Sequence, residues 1–96
     1  MERQELLNAV ELRPAHAGRR AEFTTMITSE MAAGGHGELG SEVTFRGRLT
    51  RVQNGMTGGR GWSRITLVPE DGTPPLTSVL GSHRRVELLP ETDRRR

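Results

Sequence analysis

The sequence contains no cysteine, no lysine and no tyrosine among its 96 residues. The lack of cysteine excludes disulfides, thiolate zinc sites and a cysteine nucleophile, and it removes the usual stabilisation of small secreted domains. Long apolar runs are lacking as well: none approaches the roughly 18 residues needed to cross a bilayer. The charged start at 1–7 has no apolar signal-peptide segment. We therefore expect a cytoplasmic protein with no membrane partner.

The chain also has few residues from which to build a core. Leu, Ile, Val and Phe together number 20 of 96, just above the level of about 20% below which charged chains tend to be disordered. This length predicts one domain, residues 1–90. A thin core favours additional stabilisation by association, so we expect a homo-oligomer or a protein partner.

The positive charge is unevenly distributed. The net charge is only +2, although the pI is near 10.9. The pI is high because lysine and tyrosine are missing, so that almost only arginines remain to titrate at high pH. Residues 1–42 carry four arginines and seven glutamates, whereas residues 43–96 carry ten arginines and five acids. Five of those arginines lie between Val43 and Val68 with no acid among them. This stretch is the strongest charge feature of the chain.

The N-terminal part, residues 1–33, is predicted to be helical. Residues 2–13 place Leu6 and Val10 one helical turn apart, and Pro14 follows. A second helix is predicted over 19–33, ending at Gly34. Its apolar residues at helical spacing are Phe23, Met26, Ile27 and Met31. The threonines of this segment also suit a strand, so residues 19–33 are open to either interpretation.

Beyond a glycine-rich linker at 34–41, the apolar period becomes two. Strands are predicted over 42–53, 62–68, 76–80 and 85–89, with a mobile loop at 53–61 and a turn at 69–72. The β part is therefore 42–90, and 91–96 is predicted to be a flexible arginine-rich tail. The whole predicts an α+β fold: N-terminal helical segments followed by a small antiparallel sheet or a partly closed SH3-like or OB-like barrel of about four strands.

One face of the predicted sheet has the composition of a nucleic-acid surface. Arginines contact phosphates and an indole stacks on a base in proteins that bind single strands. The residues concerned are Arg46, Arg48, Arg51, Arg60, Trp62 and Arg64. They predict a small accessory protein that binds DNA or RNA with low sequence specificity. The alternative is a solvated face whose arginines pair with the protein's own glutamates, with Trp62 covering the sheet edge.

A second functional hypothesis is a non-enzymatic interaction or assembly module. Here the apolar helix face would bind a partner, and the protein would be a regulatory subunit, a homo-oligomer or a phage-type structural adaptor. The partner-binding residues of this hypothesis are Phe23, Met26, Ile27 and Met31.

The sequence gives no indication of catalysis. Its serines lack a nucleophile-elbow context, its three histidines match no metal-ligand spacing, and its glycine-rich segment lacks the Gly-Lys-Ser/Thr ending of a phosphate-binding loop. We therefore expect no enzyme activity, no metal site and no cofactor.

Overall fold

The computed structural model describes residues 5–90, which form a six-stranded antiparallel sheet. The strands are β1 Glu5–Asn8, β2 Arg20–Met26, β3 Glu42–Thr57, β4 Arg60–Pro69, β5 Leu76–Gly81 and β6 Arg85–Leu89. Their order across the sheet is β1-β6-β2-β3-β4-β5. Two 3₁₀ turns, Ala9–Glu11 and Pro14–His16, lie between β1 and β2, and the short helix α1, Ser29–Ala33, follows β2. No helix within 5–90 is long and apolar enough to cross a membrane.

The predicted α+β fold with N-terminal helices is wrong. The segment predicted as the second helix is β2 followed by α1. Along β2, Ala21, Phe23 and Thr25 are buried and alternate with less buried residues, as expected for a strand with one face on the core. The helical pattern was ambiguous because Phe23 and Ile27, four residues apart, are on the same face of a strand as well as of a helix.

The predicted first helix is likewise replaced, in its described part, by β1 and the 3₁₀ turn Ala9–Glu11. Asn8 ends the strand: its side-chain oxygen accepts a hydrogen bond from the backbone N–H of Val10, and Glu11 accepts one from the backbone N–H of Asn8. Such local side-chain bonds favour turns over helix interiors. Residues 5–8 instead pair with β6.

The four strands predicted after the linker are present as β3 to β6, but the loop predicted at 53–61 is wrong. β3 and β4 continue toward each other until only Gly58 and Gly59 separate them. Both glycines have positive φ, 59° and 81°, the conformation that a two-residue hairpin turn of the favoured type requires. The result is a long hairpin with ten paired positions. Its tip, Thr57–Arg60, lies beyond the residues that pair with β2 and β5.

A β-bulge interrupts this hairpin between Leu49 and Arg51, where Thr50 is the additional residue. Gly47, two residues before Leu49, allows a close approach of the two strands, since a Cβ there would come within 2.1 Å of the Val68 carbonyl oxygen.

The core lies on one face of the sheet, and side chains from β5 and β6 belong to the same buried cluster. The 3₁₀ turn Ala9–Glu11 packs against β4 and β5. Ser63 Oγ donates to the Ala9 carbonyl at 2.8 Å, and Asn54 Nδ2 donates to the Leu12 carbonyl at 2.8 Å. These bonds satisfy polar groups that would otherwise be costly to bury.

Residues 34–41 connect α1 to β3 and do not separate a helical part from a β part. The Ile27 N–H donates to the Ser41 carbonyl, and the Gly40 N–H donates to the Ile27 carbonyl, which ties this connection to the end of β2. The arginine-rich tail predicted at 91–96 lies outside the described residues.

A turn follows β4 as predicted. There the backbone N–H and the hydroxyl of Thr73 both donate to Asp71 Oδ1, at 3.0 and 2.8 Å. These hydrogen bonds favour the charged form and lower the pKa of the Asp71 carboxyl.

Candidate nucleic-acid interface

The β3–β4 hairpin places all six predicted binding residues on one surface, four of them toward its tip. Buried pairs such as Val52–Ile65 alternate with pairs that face away from the core. The outward pairs toward the tip are Arg51–Thr66, Gln53–Arg64, Gly55–Trp62 and Thr57–Arg60. We call the surface of the sheet opposite the core the outer face. Arg51, Arg60, Trp62 and Arg64 therefore share the outer face.

The bulge is what gives Arg51 this position. Strict alternation from the buried Leu49 would turn Arg51 toward the core and Val52 away from it. With Thr50 as an additional residue, Arg51 is exposed opposite Thr66, and Val52 is 5% exposed opposite Ile65. The bulge thus avoids burying a guanidinium group and adds a cation to the outer face.

Arg46 and Arg48 also lie on the outer face, but both are engaged by the protein. Arg46 Nη2 is 3.3 Å from Glu22 Oε2, across the β2–β3 pair that sets these residues opposite each other. Arg48 donates a hydrogen bond to the Gly18 carbonyl. The alternative in which the protein's own acids occupy the basic face therefore applies to Arg46.

The acids of the outer face lie on different strands from most of its arginines. Glu22 and Glu87 are directly opposite each other in the β2–β6 pair, whereas β3 from Val43 onward, β4 and β5 contain no acid. Two further ion pairs join glutamates to arginines: Arg20 Nε is 2.6 Å from Glu70 Oε2, and Arg84 Nη1 is 3.2 Å from Glu42 Oε2. The β3–β4 hairpin between Val43 and Pro69 thus contains no acid.

Three arginines of the hairpin have no such partner. Arg51, Arg60 and Arg64, which we call the arginine strip, are exposed. Within residues 5–90 none of them forms an ion pair or a side-chain hydrogen bond. Glu30 shares a surface cavity with Arg64 but is not in an ion pair with it. The arginine strip is therefore the part of the predicted basic face whose charge the described chain leaves uncompensated.

Trp62 lies along the same strand, between Arg60 and Arg64. Its cross-strand neighbours are glycines on both sides, Gly55 on β3 and Gly81 on β5. A Cβ on Gly55 would be 2.1 Å from the indole Cζ2, so the ring lies directly over this glycine. The indole Nε1 donates to Thr57 Oγ1 at 2.9 Å. The side chain is half-buried, which leaves part of the ring on the surface.

A cavity of about 260 Å³ lies beside the indole. Its lining includes Arg60, Trp62, Val79 and His83. The supporting glycine Gly55 and the neighbours Val79 and His83 were not among the predicted site residues. The Asn54-Gly55 pair was visible in the sequence, but its place opposite Trp62 follows from a hairpin register that ends at Gly58-Gly59.

The apolar residues predicted to bind a partner do not form a surface. Phe23, Ile27 and Met31 are 2%, 1% and 3% exposed and belong to the core cluster. Met26 alone of the four is on the surface, at 48% exposure, because β2 directs it opposite to Phe23 and Thr25. The helical contact face does not exist, since this segment is a strand that ends in a short helix.

Among residues 5–90, no group of three or more histidines and carboxylates is arranged to hold a metal ion. Comparison with known proteins adds no assignment: no protein-family model, curated protein or solved structure matches the chain.

Proposed function

We propose that this protein binds single-stranded nucleic acid with low sequence specificity, through the arginine strip and Trp62. The observation that carries the proposal is the uncompensated charge of Arg51, Arg60 and Arg64 on the outer face, where the indole of Trp62 lies between Arg60 and Arg64. The alternative is a solvated face whose arginines pair with the protein's own acids, but none of these three arginines is in an ion pair within residues 5–90.

The chemistry suits the backbone of a nucleic acid. A guanidinium group offers a planar set of donors to phosphate oxygens. Arg60 and Arg64 are four residues apart on β4 with Trp62 midway between them, a span of about 13 Å along the strand. A single strand lying along this line would meet cations on both sides of an aromatic ring.

Low sequence specificity follows from the kinds of contact available. Phosphate contacts fix the position of a nucleic acid but carry no sequence information. Stacking on an indole tolerates every base, since each has a π-face. The role proposed is non-catalytic binding.

Binding is tested by titrating the protein into end-labelled 12-nucleotide single strands of DNA and RNA, with fluorescence anisotropy as the measurement. At about 50 mM salt we expect saturable binding, and a plot of log K against log salt with a slope near −2, as three phosphate contacts give for a single strand. If neither oligonucleotide binds at this salt concentration, the proposal is overturned.

The substitution Glu22→Gln should strengthen binding in the same titration. It removes the carboxylate that neutralises Arg46 and so adds a fourth cation beside the arginine strip. One more phosphate contact corresponds to about a fivefold gain in affinity at 0.1 M salt and a slope steeper by about 0.7.

Glu38→Gln is the matched control for this change. Glu38 is exposed, and its side chain forms no ion pair or hydrogen bond within the described residues, so its loss changes the net charge equally and releases no arginine. Equal affinities of the two variants would show that overall charge, and not Arg46, sets the binding.

A further inference from the structure

Strand β5 is one edge of the sheet, and its outer backbone edge is unoccupied within the described chain. It pairs with β4 over six consecutive positions, from Trp62–Gly81 to Leu67–Leu76, without a bulge. No backbone hydrogen bond reaches residues 76–80 from any other element of 5–90. An edge of this kind presents a row of N–H and C=O groups to another strand.

The sequence of β5 itself carries none of the usual protections of an edge strand. The opposite edge, β1, is four residues long and carries Glu5. β5 has six residues, and the chain contains no Asp, Glu or Arg from Gly72 to His83. Natural sheets protect edges with charges, prolines, bulges or very short strands. Within β5 none of these is present, and Val79 is 55% exposed on its outer face.

The pattern of side-chain types along β5 is also the same when it is read in either chain direction. Leu76-Thr77-Ser78-Val79-Leu80 has a small residue at its centre, β-branched residues on either side and leucines beyond. If a second such strand lies antiparallel with Ser78 opposite Ser78, Thr77 meets Val79 on the outer face and Leu76 meets Leu80 on the core side. Pairs of β-branched residues and of apolar residues stabilise antiparallel neighbours. No pair brings like charges together.

A surface cavity of about 710 Å³ borders this edge. It is lined by Thr77, Ser78 and Val79 on β5, by Arg64 on β4, and by Thr28–Glu30 before and within α1. Thr77 and Val79 are exposed beside this cavity.

We propose that β5 pairs with β5 of a second copy of this chain, antiparallel and around a twofold axis at Ser78. The two six-stranded sheets then form one continuous sheet of twelve strands. Self-complementarity about a central residue is what a twofold interface requires. The outer faces of both copies lie on the same side, so the two arginine strips flank the seam. The pairing rests on β5 alone and is independent of nucleic-acid binding.

Cysteine cross-linking tests both the pairing and its register, since the native chain has no cysteine. Thr77→Cys and Val79→Cys chains, one of them carrying an affinity tag, are mixed and oxidised. Opposite residues of an antiparallel pair lie within disulfide reach, whereas Thr77 and its own copy are separated by about 8 Å. We expect the mixture to form a mixed disulfide dimer and each variant alone to form little. No mixed dimer, or equal cross-linking of each variant with itself, overturns the proposal.

Sedimentation of the unmodified chain provides the second measurement. We expect a concentration-dependent dimer that Val79→Lys converts to a monomer over the same concentration range. Val68→Lys is the control, because Val68 is 41% exposed on the outer face of β4, away from the free edge; it should leave the dimer unchanged. A native chain that stays monomeric at about 100 µM contradicts the pairing, as does an equal loss of dimer in the control.

Discussion

Replacing Ile27 with aspartate is expected to unfold the chain. Ile27 is 1% exposed and belongs to the core cluster, so the change removes a buried aliphatic side chain and places an unpaired carboxylate in its position. Together these effects cost about 5–10 kcal/mol, similar to the whole free energy of unfolding of a domain of this size, which is about 5–14 kcal/mol. Circular dichroism and urea denaturation at 25 °C measure the loss.

Met26→Asp is the matched control, since the adjacent side chain is 48% exposed on the outer face. It should remain folded, with a urea midpoint close to that of the native chain. The two variants separate a core role from an interface role for this segment. A folded Ile27→Asp chain with an unchanged midpoint and a smaller oligomer would contradict the burial described here and favour an interface.

The combined substitution of Arg51, Arg60 and Arg64 by glutamine is expected to abolish most nucleic-acid binding. Each lost phosphate contact lowers affinity by about fivefold at 0.1 M salt, so three lower it by about a hundredfold. The salt dependence of the affinity should disappear when these three phosphate contacts are lost. All three side chains are exposed and make no described polar contact, so the fold should be retained. Anisotropy titrations at several salt concentrations measure both quantities.

A charge-matched variant shows whether position or net charge is responsible. Substituting Arg46, Arg84 and Arg85 by glutamine also removes three positive charges. Arg46 and Arg84, however, are already neutralised by Glu22 and Glu42. We expect its affinity to remain within about threefold of that of the native chain. A loss as large as that of the arginine-strip variant would show that binding follows net charge alone.

The β part of the fold was predictable because its strands have one solvent-exposed and one buried face. Along β3, Phe45 and Leu49 are buried, whereas Arg46 and Arg48 between them are exposed, and this alternation is visible in the sequence. The N-terminal part was not predictable in the same way. Phe23 and Ile27 fit both the helical and the strand period, and the pairing of β2 between β3 and β6 depends on residues at least 16 positions away.

The candidate site was only partly predictable for a related reason. The run of arginines without acids is a property of the sequence, and it correctly marks the β3–β4 hairpin as basic. Which arginines are neutralised is a property of strand pairing, since Glu22 reaches Arg46 because β2 lies beside β3. The outward position of Arg51 depends on a bulge at Thr50 that alternation alone does not reveal.

The most direct test of the proposed function is the emission of Trp62 during titration with an oligonucleotide. Trp62 is the only tryptophan, and the chain has no tyrosine, so the signal comes from the proposed site. We predict quenching by a single strand. An abasic strand of equal length should bind about 5 to 150 times more weakly, the equivalent of one stacked base at about 1–3 kcal/mol, and should leave the emission unchanged. Salt-dependent binding of the normal strand without any change in Trp62 emission would contradict the account.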